Sequence, residues 1–210
     1  MLTIIEARVL GCLLEKERTT PDQYPLTLNA LVVACNQSTS REPVMHLDDH
    51  EVETVLSALK MQGLLRYVHP AHGRSVTRFR QVADESWGLG PPDAAVIAVL
   101  LLRGPQTVGE LRARTERLHP FESPEDVEEV LRELATVGRV RLVERQPGQK
   151  EARWRQLLAE EAEPTMATVM NAAAVGGSIA DRVAQLEARL ARLESALSDL
   201  LPDESFLPEQ

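Results

Sequence analysis

Two sets of residues in this chain have the type and spacing to do chemistry, and they carry opposite charge. Residues 64–81 hold Arg66, Arg74, Arg78 and Arg80 with no carboxylate, a net charge of +4. Residues 138–155 hold six cations against Glu144 and Glu151, again +4. Arg78 and Arg80 are two positions apart, as are Arg153 and Arg155, so in extended chain each pair shares a face. Such faces suit phosphate, because each useful phosphate contact needs a cation. Arg74, Arg78, Arg80, Arg145, Lys150, Arg153 and Arg155 are therefore the candidate contacts to nucleic acid or another partner. The carboxylates cluster elsewhere. Residues 47–62 carry Asp48, Asp49, Glu51 and Glu53 against Lys60, a net of −3, and residues 122–137 carry six carboxylates against Arg132, a net of −5. An acidic helix is repelled from a groove lined by phosphates. The competing reading is that the arginines pair with these acidic helices inside the protein.

Other chemistry is poorly supported. His46 and His50 stand four apart and His69 and His72 fall in a turn, but no further ligands have metal-site spacing. The carboxylates at 48–53 are explained by the positive end of a helix dipole. No phosphate-binding glycine loop, nucleophile elbow or paired CxxC occurs. The chain is read as a binding protein and not an enzyme, with no cofactor and no metal. Cys12 and Cys35 lie in apolar helical patterns and read as buried free thiols of a cytoplasmic protein. Asn36, Gln37, Arg41 and Glu42 form the most site-like polar run, although a loop held by its own hydrogen bonds to turn backbone fits equally.

The elements that must position these residues come in two copies. Sliding residues 51–81 by 75 positions lays them on 126–156 without a gap, and twelve of the 31 pairs are identical. Such self-similarity marks one module used twice. In the first copy, Thr3 and Glu6 make a capping box for a helix over 3–16. A second helix follows over 25–36, with Thr27 as its cap. Val52, Val55, Leu56 and Leu59 form the apolar stripe of a third, and Gly63 ends it. Strands at 64–68 and 75–82 then make a hairpin. The second copy repeats this with helices at 93–102, from Thr107 to about 118, and from Pro124 to Gly138. Its hairpin strands are 139–143 and 151–156. Three helices and a two-stranded wing describe a winged-helix module, so the expected class is mainly α with small β-hairpins (α+β), two winged-helix domains in tandem.

The expected domains are 1–83 and 93–158, joined by a linker at 84–92. A flexible linker at 159–178 leads to a heptad helix at 179–201. Val183, Leu190 and Leu197 alternate there with Leu186, Leu193 and Leu200. A parallel pair sets Arg182 against Glu187 and Arg189 against Glu194, predicting a homodimer. Folding back onto a module is the alternative. Glu6 and Arg8 break the first apolar run, unlike a signal peptide, and no apolar stretch is long enough to span a membrane.

From Thr19, Thr20, Pro21, Asp22, Gln23, Tyr24, Pro25 and Leu26 through Asn29, Ala30, Leu31, Ala34, Cys35, Asn36, Gln37, Arg41, Glu42, Pro43, Val44 and Met45, the chain resembles the YceH family. The second copy agrees at residues 100–107 and 109–112. The resemblance covers about residues 2–158. It implies a tandem winged-helix fold and a bacterial family without an established function. Two readings therefore stand. One is a DNA-binding or regulatory protein touching phosphates through its wings. The other is a protein-interaction scaffold presenting its acidic third helices.

Overall fold

In a computed structural model, residues 1–69, 76–145 and 151–160 are described. Arg74, Lys150 and the heptad seam lie outside them. The described residues fall within one compact unit, Met1–Glu163, of mixed helix and antiparallel sheet.

The first copy runs α1 (Ile4–Thr19), a two-residue strand β1 (Leu26–Thr27), α2 (Leu28–Cys35), α3 (Asp49–Met61), β2 (Leu65–Val68) and β3 (Arg78–Gln81). A short helix, α4 (Ala83–Trp87), leads to α5 (Pro91–Arg103), α6 (Val108–Thr115), α7 (Pro124–Thr136), β4 (Val140–Val143) and β5 (Arg153–Gln156).

Local chemistry sets most of these boundaries. The capping box at Thr3 forms: Glu6 N–H donates to Thr3 Oγ1 at 3.2 Å and Thr3 N–H donates to Glu6 Oε2 at 2.7 Å. Asp48 with Glu51, Thr107 with Glu110 and Ser123 with Asp126 make the same reciprocal pairs at α3, α6 and α7. Each satisfies two amide donors that a helix start leaves without partners. The α5 helix begins two residues before the expected Asp93, because the Asp93 carboxylate reaches back to accept from Gly90 N–H at 2.8 Å and two prolines suit the first turn.

The repeat survives into three dimensions. Moving α3, β2 and β3 by 75 positions gives the bounds of α7, β4 and β5. The hairpins share one register, Arg66 opposite Arg80 in the first and Arg141 opposite Arg155 in the second. Gly63 and Gly138 end the two helices at φ of 73° and 69°, a left-handed conformation that glycine adopts without strain. In the first copy β1 adds a third strand, pairing Leu26 with Phe79. In the second the corresponding contact is a single bridge, Gln106 to Trp154.

The core is shared between the copies. Every residue of α5 from Ala94 to Leu102 is buried, as is every residue of α1 from Glu6 to Leu14. A helix apolar all round belongs in an interior, and α1 and α5 cover each other. The other two layers close over this pair, α2 and α3 on α1, α6 and α7 on α5. Leu2 ties the first copy to the segment after the second hairpin: its N–H donates to Leu158 O at 2.8 Å, and Glu160 N–H donates to Leu2 O at 2.9 Å. Cys12 and Cys35 are free and buried. Among the described residues no helix is long and apolar enough to cross a membrane.

Candidate interaction surface

Alternation along the hairpins divides them into two faces. Tyr67 and Phe79 turn inward, while Arg66, Val68, Arg78 and Arg80 share the outer face of the first hairpin, and Arg141, Val143, Arg153 and Arg155 that of the second.

Most of these arginines meet partners within the protein. Arg78 Nη1 donates to the carbonyl of Pro25 at 2.8 Å, and Arg153 Nη1 to that of Pro105 at 2.9 Å. The two prolines stand at the same place before the second helix of each copy, so the repeated arginine pins each hairpin to that loop. Arg153 also grips Glu110, with Nη1 to Oε2 at 2.7 Å and Nη2 to Oε1 at 3.1 Å. Arg80 donates to Glu85 Oε1 at 2.8 Å, and Arg66 lies 3.7 Å from the other oxygen of that carboxylate. The carboxylates that meet Arg66, Arg80 and Arg153 are Glu85 of α4 and Glu110 of α6, and the acidic third helices supply none for these three. Arg141 and Arg145 are exposed, and Arg155 is half-buried opposite Arg141.

Glu110 shows the electrostatics of this arrangement. Partial burial would push its carboxyl up, but the Thr107 amide and then Arg153 more than offset that and hold it below the usual range.

The repeated glutamines have structural work too. Gln81 Oε1 accepts from Asp84 N–H at 3.2 Å, and Gln156 Oε1 accepts from Ala159 N–H at 2.7 Å. Each turns the chain just after its hairpin.

The polar run after α2 is likewise tied inward. Asn36 exchanges two hydrogen bonds with the backbone of Leu47, both at 2.8 Å. Arg41 is buried and uses every donor it has. Nε donates to Ala34 O at 3.0 Å, Nη1 to Ser40 O at 2.8 Å and Glu15 Oε1 at 3.1 Å, and Nη2 to Glu15 Oε2 at 2.6 Å and Gln37 Oε1 at 2.9 Å. Burial opposes the charge on Arg41, yet its hydrogen bonds to Glu15 prevail and its pKa is raised. Beside it, Arg8 donates to Cys35 O and Pro43 O at 3.1 and 2.5 Å. Glu42 keeps an exposed side chain, while its amide donates to Leu102 O at 2.8 Å. Arg103 donates to Ser40 Oγ. The run joins the first copy to the end of α5.

The third helices turn mostly acidic faces to solvent, while Arg66, Arg78, Arg112, Arg117, Arg141 and Arg145 are exposed elsewhere. Asp49, Glu51 and Glu53 of α3 are exposed with Lys60, and Glu125, Glu128, Glu129 and Glu133 of α7 with Arg132. Among the described residues no group of His, Cys, Asp and Glu is placed to hold a metal ion. The surface offers charge and shape for binding.

A family described as a protein of unknown function, DUF480, matches residues 2–149. The chain belongs to this family. A UPF0502 protein of Solibacter usitatus is 49% identical over 202 residues, covering 93% of this chain and 94% of that one. A second, from Geobacter sulfurreducens, is 45% identical and covers 95% and 90%. The UPF0502 protein YceH of Escherichia fergusonii is 43% identical over 208 residues, covering 95% and 96%. The resemblance to the YceH family drawn from residues 19–45, 100–107 and 109–112 is thus correct, and the similarity runs beyond residue 158 over nearly the whole chain. In this DUF480 chain, sequence reasoning missed Glu85 and Glu110 as arginine partners. The Thr107 and Glu110 capping box was visible, but nothing in it shows that the same carboxylate also takes Arg153.

Proposed function

We propose that this DUF480 chain is a protein-interaction scaffold built from two winged-helix modules, which presents its acidic third helices, α3 and α7, to a basic partner. One observation carries the reading. The arginines repeated at 78 and 153 hold their hairpins to Pro25 and Pro105, and Arg80 and Arg153 hold carboxylates. Their recurrence in both copies then has a folding cause, and α3 and α7 each turn several exposed carboxylates outward for a partner. The scaffold works by binding alone, without catalysis or cofactor, in the cytoplasm.

The second reading, contact with DNA phosphates through the wings, draws on the exposed Arg66, Arg141 and Arg145. A gel-shift series between about 50 and 200 mM salt separates the two. The scaffold reading expects no retention of duplex DNA at the low end. Retention that falls steeply with salt, and that is lost on changing Arg66, Arg141 and Arg145 to alanine, would establish the phosphate reading instead.

The heptad seam completes the proposal as a parallel homodimer contact. Leu190→Cys is expected to give a disulfide-linked dimer on mild oxidation, against a quiet background because Cys12 and Cys35 are buried. A chain that stays monomeric rules out the parallel coil.

A further inference from the structure

The two copies differ at one place that bears on binding. Tyr67 of the first hairpin lies edge-on to Phe79, ring centroids 5.0 Å apart at 89°, and its hydroxyl reaches Ser57 Oγ of α3 at 3.3 Å. Lys60 Nζ covers the ring at 4.4 Å. Strand and third helix are thereby bridged at that ring, and a cavity of about 540 Å³ opens beside it, lined by Lys60, Leu65, Arg66, Tyr67 and Glu85. In the second copy those four positions are Leu142, Trp154, Arg132 and Ala135. Leucine cannot span to α7 or offer a hydroxyl, and Leu142 is left 52% exposed. A groove of about 430 Å³ opens there, with Val108, Leu142 and Trp154 as its apolar part and Glu128, Arg132 and Glu151 around them.

We infer that this groove between α7 and the second hairpin is a docking site for a peptide segment in which one apolar side chain is flanked by basic residues. The inference rests on the scaffold reading and names its partner. The apolar side chain seats on Leu142 and Trp154, burying surface that the first copy covers with its own tyrosine. The flanking cations meet Glu128 and Glu151 at the groove and the exposed Glu125, Glu129 and Glu133 along α7, a face that opposes an acidic segment by like charge, while Arg132 is the cation among the lining residues. A tryptophan with one apolar and one polar end is suited to such a contact.

The test titrates the full-length chain with a fluorescein-labelled peptide holding a Gly-Leu-Gly centre between two Lys-Arg pairs, read by polarisation and by tryptophan emission. Saturable binding is expected, weakened about tenfold when the peptide's leucine becomes glycine. Arg132→Ser with Leu142→Tyr transplants the first copy's bridge, and is expected to weaken binding at least about tenfold with an unchanged circular dichroism spectrum. Glu128→Lys, at an exposed position, is expected to weaken it too and stands in if the double variant does not fold. Binding of the basic peptide that ignores the leucine and all three substitutions overturns the groove but leaves the acidic-surface reading standing. Absence of binding by either peptide at low salt overturns both.

Discussion

A guanidinium on a surface strand can reach outward to a ligand or sideways to its own protein, and the distances here decide for the second. Arg153 makes three contacts within its module, two of them to one carboxylate. Glu110 titrates below its ordinary value, so the stability it contributes is fully present above about pH 4.3, the unperturbed glutamate value, and is lost as pH falls through the lowered folded value. Glu110→Gln is therefore expected to lower the urea midpoint at neutral pH and to flatten its decline in acid. A midpoint with the wild-type pH slope would show that Glu110 has no such role. A larger effect belongs to Arg41, whose side chain is 0% exposed while that of its partner Glu15 is 16% exposed. Removing one member of a buried pair strands the other, and Arg41→Ala is expected to cost about 3 kcal/mol in urea unfolding. Arg41→Lys recovers only part, because a single ammonium cannot reproduce the five donors of the guanidinium fork.

Among the elements, the contact between α1 and α5 is the one most sensitive to a single atom. A Cβ on Gly11 would stand 2.9 Å from Leu102 Cγ and 3.2 Å from Leu101 Cβ. Gly11→Ala is expected to destabilise by about 1–3 kcal/mol through overpacking, and Leu102→Ala in the same chain should recover part of that loss; simple additivity would place the strain elsewhere. The third helices and hairpins were legible in sequence because their signals are local. The stripe Val52, Val55, Leu56 and Leu59 fixes a face, and Gly63 fixes an end. The two-residue strand β1 was not legible, since Leu26 and Thr27 are too few to show alternation. Nor were the arginine partners, because periodicity places Arg80 on a face without saying what stands across from it. Glu85 belongs to the stretch expected as linker, where α4 forms. The polar run at Asn36 to Glu42 could be read either way, and only the burial of Arg41 brings its hydrogen bonds inward.

At the scale of the whole unit, the two copies cannot be independent in stability even though they repeat in sequence. Separating them would strip α1 and α5 of each other and expose apolar residues on both, such as Leu10, Leu13, Ile97 and Leu100, each at most 1% exposed in the assembled unit. It would also leave Leu2 without its backbone partners Leu158 and Glu160, and Glu42 without Leu102. A domain near 80 residues has little core to lose, because small domains bury a smaller share of their chain, and net stability is a few kcal/mol at best once conformational entropy is counted. The first copy alone, residues 1–83, is therefore expected to lack a cooperative urea transition, whereas residues 1–160 should unfold in one step with coincident tryptophan and circular dichroism curves. The two tryptophans suit this measurement, Trp87 in α4 between the copies and Trp154 in the second hairpin. If Trp87 and Trp154 reported separate midpoints, or if residues 1–83 unfolded cooperatively, each copy would be stable by itself and the α1 to α5 contact would be a docking of two finished domains. A single midpoint instead makes the shared core the fold, with α3 and α7 belonging to one cooperative unit.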